Sequence, residues 1–340
     1  MTVSLTIRLE MIVPVLPPAL RAAVEQAAHG LSRNDAARKA EAISQTYRAG
    51  GTSAAIRARD DALAYALARM PATYAAVAAS LRALKETRPD FAPQSLLDIG
   101  AGPGTATWAA TEAFSSLADL ALLDSNAALR ALALDLAQGL PYLPRLHYEA
   151  GDVRRQLAEA PAADLVIASY VVGELDDAER AALAEAMWER TRDTLLIVEP
   201  GTPAGYARII DLRARLVARG AHALAPCPHD HACPLQPPDW CHFTQRLPRS
   251  RAHQHLKGAA LPFEDEKFSY VALSRAAIAP RPARVLAQPQ VTKIAVTAKL
   301  CTAGGLTVAA VPHRDKARYM RAKKWAWGDA VAPDGIARAE

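Results

Sequence analysis

The amino-acid sequence is poor in several features that mark particular classes of protein. Only four of the 340 residues are cysteine, and 6% are aromatic. No apolar run reaches the length of about 18 residues that predicts a membrane-spanning helix, and the first 16 residues have the pattern of neither a secretory nor a mitochondrial import signal. These absences argue against a disulfide scaffold. They predict a cytoplasmic protein in a reducing compartment, without membrane contact.

Charged residues are divided unevenly along the chain. The net charge is +5, yet residues 1–199 hold 19 basic and 25 acidic side chains, whereas residues 200–340 hold 21 basic and 10 acidic ones. The C-terminal part is therefore the one we expect to meet a polyanion, and a solvated basic surface is the alternative interpretation.

A glycine-rich stretch follows a short apolar segment near the end of the first third of the chain. Residues 96–99 predict a buried strand, Gly100, Gly102 and Gly104 predict a tight loop, and the alanine-rich residues beyond them predict a helix. Glycines allow a sharp turn and a close approach to a ligand, and the N-terminus of the helix offers free N–H groups to a negative group. The stretch therefore predicts a cofactor site, and a glycine turn without a ligand is the alternative.

The spacing of this loop separates two kinds of nucleoside site. A dinucleotide fingerprint requires Gly or Ala where this chain has Thr105. Asp98-x-Gly-x-Gly-x-Gly instead resembles motif I of the S-adenosylmethionine-dependent methyltransferases. That resemblance implies that Asp98 and the glycines bind the methionine end, that Asp124 binds the ribose hydroxyls, and that Asp152 lies near the adenine amino group. Helix capping is the alternative role of the last two residues.

Strand-like and helix-like segments alternate after the glycine loop. This alternation predicts an α/β fold, a doubly wound Rossmann-like class I methyltransferase sheet with ligands beyond the carboxyl ends of its strands. Before the loop, the chain reads as a helical region in which Pro71 marks either two helices or one kinked helix. The predicted strands are residues 118–123, 145–149, 164–169 and 194–198, with a helix over residues 176–190.

The acceptor chemistry leaves little trace in the sequence. Enzymes that methylate exocyclic base nitrogens commonly carry Asn/Asp-Pro-Pro-Tyr/Phe after the fourth strand, and residues 169–175 lack it. Tyr170 and Glu174 are the polar candidates for catalytic residues there. Packing and helix capping are their alternative roles.

Three cysteines lie within 15 residues of one another in a proline-rich segment. Cys227, Cys233 and Cys241 are followed 60 positions later by Cys301, at the end of a strand-like run. Four thiolates suit an iron–sulfur cluster or tetrahedral zinc, and His229, His231 or His242 is a candidate to replace a thiolate in a zinc site. The spacing does not choose between them, although no Cys-x-x-Cys pair supports a zinc ribbon. Free buried cysteines are the third interpretation.

Several fragments together carry a more specific resemblance. They are Cys-Pro-His…Cys-Pro…Trp-Cys-His-Phe over residues 227–243, Glu-Lys-Phe-Ser-Tyr at 266–270, Leu-Cys at 300–301 and Lys-Trp-Ala-Trp-Gly-Asp at 324–329. The chain thereby resembles the methyltransferase-like family of the mitochondrial ribosomal small subunit and its bacterial relatives. The resemblance implies a [4Fe-4S] cluster, with zinc as the alternative, and binding to small-subunit ribosomal RNA. The implied cluster ligands are Cys227, Cys233, Cys241 and Cys301.

Two basic clusters are the predicted contacts with RNA phosphates. The second of them is interleaved with Tyr319, Trp325 and Trp327, which suit base stacking. Solvated basic faces are the alternative. The first cluster comprises Arg246, Arg249, Arg251, His253, His255 and Lys257, and the second comprises Arg314, Lys316, Arg318, Arg321, Lys323 and Lys324.

These patterns predict a methyltransferase-fold protein that acts on or assembles the small ribosomal subunit and is monomeric away from it. The alternatives are an RNA-binding assembly factor without turnover and a zinc-containing small-molecule methyltransferase. Residues 268–273 and 293–300 are expected to complete the sheet as an antiparallel pair, and residues 306–311 form a further strand. The predicted regions are a helical region (1–90), an S-adenosylmethionine-binding core (91–204), a cluster-binding insertion (205–267), completing strands (268–312) and a basic tail (313–340).

Overall fold

A computed structural model describes residues 15–138 and 145–332. Within these residues no helix is both long and apolar enough to cross a membrane. The described helices are α1 (Pro18–Ala27), α2 (Arg33–Arg48), α3 (Arg59–Thr87), α4 (Thr105–Ala113), α5 (Ala127–Ala137), α6 (Val153–Glu159), α7 (Asp177–Arg190), α8 (Pro203–Val217), α9 (Arg251–Leu256) and α10 (Lys316–Ala322). The described strands are β1 (Ser95–Ile99), β2 (Asp119–Asp124), β3 (Leu146–Ala150), β4 (Ala163–Ser169), β5 (Thr191–Pro200), β6 (His222–Ala225), β7 (Phe243–Pro248), β8 (Phe263–Ser274), β9 (Ala283–Val285), β10 (Gln290–Val291), β11 (Ala295–Thr302), β12 (Gly305–Pro312) and β13 (Ala330–Val331).

The main sheet has the strand order β3-β2-β1-β4-β5-β8-β6, and β7 also pairs with β8. Strands β1 to β5 are parallel, whereas β8 runs antiparallel to β5, β6 and β7. Because the strand order reverses between β1 and β4, the loops that follow β1 and β4 diverge and leave a crevice at their carboxyl ends. The predicted doubly wound α/β sheet is confirmed.

Both faces of this sheet are buried. Along β1, Leu96 packs into one apolar cluster and Leu97 into another on the opposite face, as the alternation of side chains along a strand requires. Helix α3 covers the first face and is buried along much of its length. It runs without a break through Pro71, so of the two predicted alternatives, two helices or one helix kinked at the proline, a single helix is present. The free energy gained by burying the alanine-rich surface of α3 offsets the loss of the backbone hydrogen bond that Pro71 cannot donate.

A second sheet contradicts one prediction from the sequence. Strand β11, which covers most of residues 293–300, does not join the main sheet. It pairs instead with β9, β10 and β12, and β13 adds to β9. The place beside β8 that the sequence predicted for β11 is occupied, because β6 and β7 pair with the side of β8 that faces away from β5.

The region expected to be a basic tail is folded in its described part, residues 313–332. Helix α10 packs on β11 and β12, with Tyr319 and Ala322 buried against Val296 and Val311. The Tyr319 hydroxyl donates a hydrogen bond to the carbonyl of Thr292 at 2.5 Å. Tyr319 is therefore a core residue and not the exposed stacking platform that the sequence predicted, because burial of its ring removes a large apolar area from water.

Candidate functional site

The loop after β1 forms the centre of the first candidate site, at the carboxyl edge of the parallel strands. Gly100 has a φ of +66°, which disfavours any residue with a side chain. A Cβ atom at this position would lie 2.4 Å from Cγ2 of Val171, in the loop after β4. The glycine thus lets the β1 and β4 loops approach each other. We call the C-terminal ends of β1, β2 and β4, together with the loops that follow them, the carboxyl edge.

Asp98 lies beneath the glycine loop and is fully buried. Its Oδ2 atom accepts hydrogen bonds from the backbone N–H and the hydroxyl of Thr107, at 3.0 and 2.7 Å. Its Oδ1 atom is buried and has no hydrogen-bond partner among the described residues. Burial raises the pKa of Asp98 to about 7, against the opposing effect of the two Thr107 bonds. An orphaned carboxylate oxygen at this position fits the ammonium group of a ligand.

Asp124 binds the same loop from the end of β2. Its carboxylate accepts hydrogen bonds from the backbone N–H groups of Gly102 and Asn126, both at 2.7 Å. The Tyr148 hydroxyl donates to the carbonyl of Gly102 at 2.6 Å. The structure therefore brings Asp98 and Asp124 together on the glycine loop. Burial raises the pKa of the Asp124 carboxyl above its ordinary value.

Asp152 has a different environment. It is exposed, and its Oδ1 atom accepts hydrogen bonds from the N–H groups of Arg154 and Arg155 at 2.9 and 3.0 Å, which caps α6. The capping role that the sequence left open is therefore present. The contact with an adenine amino group stays a prediction.

A segment between α2 and α3 covers the carboxyl edge. We call residues 52–57 the strap. The Asn126 side chain donates hydrogen bonds to the carbonyls of Ser53 and Ile56 at 2.8 and 2.9 Å. Glu174 accepts one from the Ser53 N–H at 3.2 Å, and burial raises the pKa of Glu174 to about 7. These contacts could not be predicted from the sequence, because about 70 and 120 positions separate their partners.

Tyr170, the other catalytic candidate, is engaged in a polar cluster. Its hydroxyl donates to Glu266 at 2.9 Å, and Arg69 of α3 donates to the same carboxylate oxygen at 3.1 Å. Burial and the Glu266 charge keep the pKa of Tyr170 well above its ordinary value, so the phenol is neutral. Arg69 and Glu266 were missed as neighbours of this edge, since they come from opposite ends of the sequence.

The four cysteines line one pocket, which we call the cysteine pocket. Cys227, Cys233 and Cys241 lie between β6 and β7, and Cys301 lies on β11 of the second sheet. Side chains of α8 and β8 complete the walls, so the pocket joins the two sheets. The thiols have close polar neighbours, with the Tyr206 hydroxyl 3.2 Å from Sγ of Cys233 and His229 Nε2 3.5 Å from Sγ of Cys301.

Burial favours the thiol forms of Cys227, Cys241 and Cys301 when no metal is bound. Burial and the neighbouring thiols raise the pKa of Cys301 to about 12 and that of Cys241 well above its ordinary value. Burial also raises the pKa of Cys227, and the Arg213 guanidinium opposes that rise. Metal binding would reverse this balance, because a coordinated thiol is deprotonated.

The described residues contain no group of three or more His, Cys, Asp or Glu side chains arranged to hold a single metal ion. The predicted metal centre is therefore not confirmed and stays a prediction. The donor set still suits a cluster, because a [4Fe-4S] core binds four thiolates and each of them contacts a different iron atom. Among the candidate histidines, His242 stacks on Trp240 and contacts Trp327 edge-on.

The first basic cluster is largely neutralised by carboxylates of β8. Arg246 forms a two-pronged ion pair with Asp265 at 2.7 and 2.8 Å. Lys257 and Arg249 both bind Glu264, at 2.6 and 3.4 Å. The side chains of Arg251 and His255 lie outside the described residues, and His253 is buried. This cluster offers much less free positive charge than its sequence predicts.

The second basic cluster has a different environment. Arg318 lies 3.6 Å from Asp315, whereas the other five cations are exposed and form no ion pair within the described chain. We call these five residues the α10 patch. They are Arg314, Lys316, Arg321, Lys323 and Lys324.

Comparison with protein families decides the relationship that the cysteine fragments suggest. The family model described as mitochondrial small ribosomal subunit Rsm22 matches residues 59–332. The chain belongs to the Rsm22 family. This range includes the glycine loop, the cysteine pocket and the α10 patch, so the Rsm22 relationship extends over both candidate sites.

Two relatives of this Rsm22-family chain, one human and one from yeast, match part of its length. The human mitochondrial ribosome assembly protein METTL17 is 31% identical over 231 residues, which cover 63% of this chain and 48% of METTL17. The Schizosaccharomyces pombe mitochondrial Rsm22-cox11 tandem protein 2 is 28% identical over 191 residues, which cover 51% of this chain and 25% of the tandem protein. The chain thus spans about half the length of METTL17 and a quarter of the yeast protein.

Solved structures give weaker similarities. A putative RNA methyltransferase from Pyrococcus horikoshii aligns with a TM-score of 0.40 and 14% identity, over 61% of this chain and 83% of its own. The magnesium protoporphyrin IX methyltransferase of Synechocystis with bound S-adenosylmethionine aligns with a TM-score of 0.39 and 14% identity, over 60% of this chain and 80% of its own.

Proposed function

We propose that this Rsm22-family chain binds S-adenosylmethionine at its carboxyl edge, carries a [4Fe-4S] cluster in its cysteine pocket, and acts on or assembles the small ribosomal subunit through contacts with its RNA. The family match over residues 59–332 is the observation that carries the proposal. The ribosomal role follows the names of the family and of the human relative.

The carboxyl edge supplies the groups that a methyl-donor nucleoside requires. Asp98 would accept a hydrogen bond from the ligand ammonium at its free Oδ1 atom, and the glycines would let the backbone approach the methionine end closely. Asp124 would bind the ribose hydroxyls with its remaining acceptor capacity. The bound cofactor supplies a methyl group already activated by its sulfonium, so the protein has chiefly to orient the acceptor and exclude water.

A cluster in the cysteine pocket would have a structural role. Its ligands come from the insertion between β6 and β7 and from β11, which belong to different sheets. Four metal–thiolate bonds would hold the proline-rich insertion against the second sheet and so fix α10, which packs on β11. The α10 patch would then present its five free cations to RNA phosphates.

A specific observation favours a second candidate function, binding without methyl transfer. The strap covers the carboxyl edge through three hydrogen bonds, and Tyr170 is already bound to Glu266. Both arrangements engage polar groups beside the glycine loop that an acceptor would otherwise contact. Transfer of a radiolabelled methyl group to precursor subunits and to free small-subunit RNA separates the two functions, with Asp98→Asn as the inactive control.

The cluster is tested by metal analysis of protein purified without oxygen. We expect about four iron and four sulfide per chain, with a visible thiolate-to-iron absorption band. Stoichiometric zinc without iron, in both aerobic and anaerobic preparations, would contradict the cluster and leave the zinc alternative.

RNA binding is tested through its dependence on salt. Each phosphate neutralised contributes about 0.7 to 0.9 to the slope of log affinity against log salt. Lys323→Glu with Lys324→Glu should reduce both the affinity and this slope. Arg246→Gln is the matched control, because Arg246 is already paired with Asp265. An equal loss in the control would remove the α10 patch from the proposal, and an affinity insensitive to salt would favour a small-molecule substrate.

A further inference from the structure

Two arginines beside the cysteine pocket are among the most deeply buried side chains of the protein. Arg213 on α8 is 2% exposed and Arg284 on β9 is 1% exposed. Arg213 lines the pocket itself, and Arg284 pairs directly opposite Cys301 across the β9–β11 ladder. Both cations therefore lie beside the thiols and away from water.

Within the described residues, Arg213 forms no ion pair with a carboxylate, and Arg284 forms only a long one. Arg213 donates to the carbonyl of His229 at 2.6 Å, and Arg284 donates to the carbonyl of Gly328 at 2.8 Å. The Nε atom of each is buried and has no hydrogen-bond partner in the part of the chain that the structure describes. The carboxylate nearest to Arg284 is that of Glu86, at 3.8 Å, and its side chain is 43% exposed.

Other arginines of the protein that are largely removed from water are paired closely. Arg208 lies 2.7 Å from Glu199, and Arg281 lies 2.6 Å from Asp230. This pairing is the general rule, because an uncompensated buried charge costs several kcal/mol. Arg213 and Arg284 depart from the rule at the one place where four cysteines meet.

The missing negative charge has an evident source. Four thiolates on a metal core of charge +2 carry a net charge of −2, which equals one negative charge for each of the two guanidiniums. A hydrogen bond from Tyr206 to Cys233 adds a neutral donor to the same pocket.

We propose that Arg213 and Arg284 are the built-in counter-charges of a dianionic metal–thiolate centre in the cysteine pocket. This inference rests on the proposed cluster and adds the two residues that set its charge balance. Their positive charge retains the cluster and favours its reduction, because each added electron increases the negative charge of the centre. They are positioning residues and are not ligands.

The test replaces each arginine by glutamine, which keeps a hydrogen-bond donor and loses the charge, and by lysine, which keeps the charge. Arg215→Gln is the matched control, because Arg215 lies on the same helix with its side chain 38% exposed. Iron and sulfide per chain are followed during anaerobic exposure to a chelator. The midpoint potential is measured by titration with electron paramagnetic resonance detection.

We expect iron to be lost about tenfold faster from Arg213→Gln and from Arg284→Gln than from the control. The one-electron reduction equilibrium should shift about tenfold toward the oxidised cluster, which corresponds to a midpoint about 59 mV lower. The lysine variants should recover most of both properties. If a glutamine variant does not fold, the comparison of its lysine counterpart with the wild type decides the question for that position.

Distinct results would overturn the inference and the proposed cluster. Iron loss and midpoint potentials in the glutamine variants equal to those of the control, with a normal cluster in the wild type, would refute the counter-charge role alone. Lysine variants that lose iron as fast as the glutamine variants would also refute it, since the cluster would then require the shape of the arginine side chain and not its charge. Zinc in the wild type would refute the cluster, and the zinc-loss rates would then decide the role of the arginines.

Discussion

The carboxyl edge and the cysteine pocket differ in the sign of the charge that each keeps away from water. At the edge, the buried or half-buried carboxyls of Asp98, Asp124 and Glu174 have raised pKa values because burial disfavours their charged forms. In the pocket, the guanidiniums of Arg213 and Arg284 are buried without close carboxylates. The edge is therefore suited to a cationic ligand and the pocket to an anionic centre.

The two sites also differ in how the sequence encodes them. The glycine loop is continuous, since Asp98 and Gly104 are six positions apart and the hydrogen bonds of Asp98 reach only to Thr107. The pocket assembles residues from Tyr206 to Cys301 on two sheets. A local site depends on backbone conformation, whereas a dispersed site depends on what holds its parts together. Disruption of the pocket should therefore have wider effects than disruption of the edge.

The largest expected effect comes from a cysteine ligand. Cys227→Ser should abolish iron incorporation and lower the thermal stability of the second sheet, because the proposed metal–thiolate bonds would join that sheet to the insertion. Iron content and hydrogen exchange of β11 and β12 measure the two effects. Thr302→Ser, next to Cys301, is the control and should change neither.

Full iron content in Cys227→Ser would contradict the assignment of this ligand. Loss of iron with unchanged exchange in the second sheet would contradict the structural role.

The next effect concerns the glycine loop. Gly100→Ala adds a methyl group 2.4 Å from Val171 Cγ2 at a φ of +66°. Strain and overpacking together should cost about 3 kcal/mol of unfolding free energy and weaken S-adenosylmethionine binding strongly. Gly30→Ala is the matched control, because Gly30 has a φ of +87° but nothing within 4 Å of the added carbon. The control should lose only about 1 kcal/mol of unfolding free energy. Equal losses in the two variants would mean that the Val171 side chain moves to accommodate the added methyl group.

The same difference between local and dispersed contacts explains which features could be predicted from the sequence. The five parallel strands, the glycine loop and the doubly wound class of the sheet were predictable, because apolar runs and glycine spacing act over a few residues. The strap, the Arg69–Glu266 pair and the second sheet were not, since they depend on contacts between residues far apart in the chain. Periodicity predicted β11 as a strand, but it does not report that β6 and β7, and not β11, pair with β8.

Arg213 did leave a readable signal. Ile209, Leu212 and Leu216 form the buried stripe of α8, and Arg213 occupies a position within that stripe at the i+4 spacing from Ile209. A charged residue on the apolar face of a helix predicts a buried partner. Arg284, between Ala283 and Val285 of a three-residue strand, gave no comparable pattern.

A third, smaller effect is a change in pH dependence. Asp98 has a pKa of about 7 when folded and near 3.9 when unfolded, so the folded state holds more protons between these values. The free energy of unfolding should then fall as pH rises from about 4 to 7, by up to about 1.4 kcal/mol per pH unit from this group. Asp98→Asn does not titrate and should have a shallower decline. Denaturant unfolding at pH 4.5 and 7 measures the difference.

A cationic ligand sharpens this prediction. Its ammonium would favour charged Asp98, so wild-type affinity for S-adenosylmethionine should rise with pH over this range, and Asp98→Asn should show weak, pH-independent binding. Parallel pH profiles in the two proteins would mean that the ligand does not contact Asp98.

The smallest effect distinguishes the two roles of Asp152. Asp152→Ser keeps a capping oxygen for α6, so the unfolding free energy should change by less than about 0.5 kcal/mol, whereas Asp152→Ala should lose about 1 kcal/mol. Serine has one oxygen, which the cap uses, and it lacks the second carboxylate oxygen that would accept a hydrogen bond from an adenine amino group. If Asp152 accepts that hydrogen bond, Asp152→Ser should therefore weaken S-adenosylmethionine binding about tenfold, at nearly unchanged stability. Calorimetric titration measures the affinity, and an unchanged value would assign Asp152 to helix capping alone.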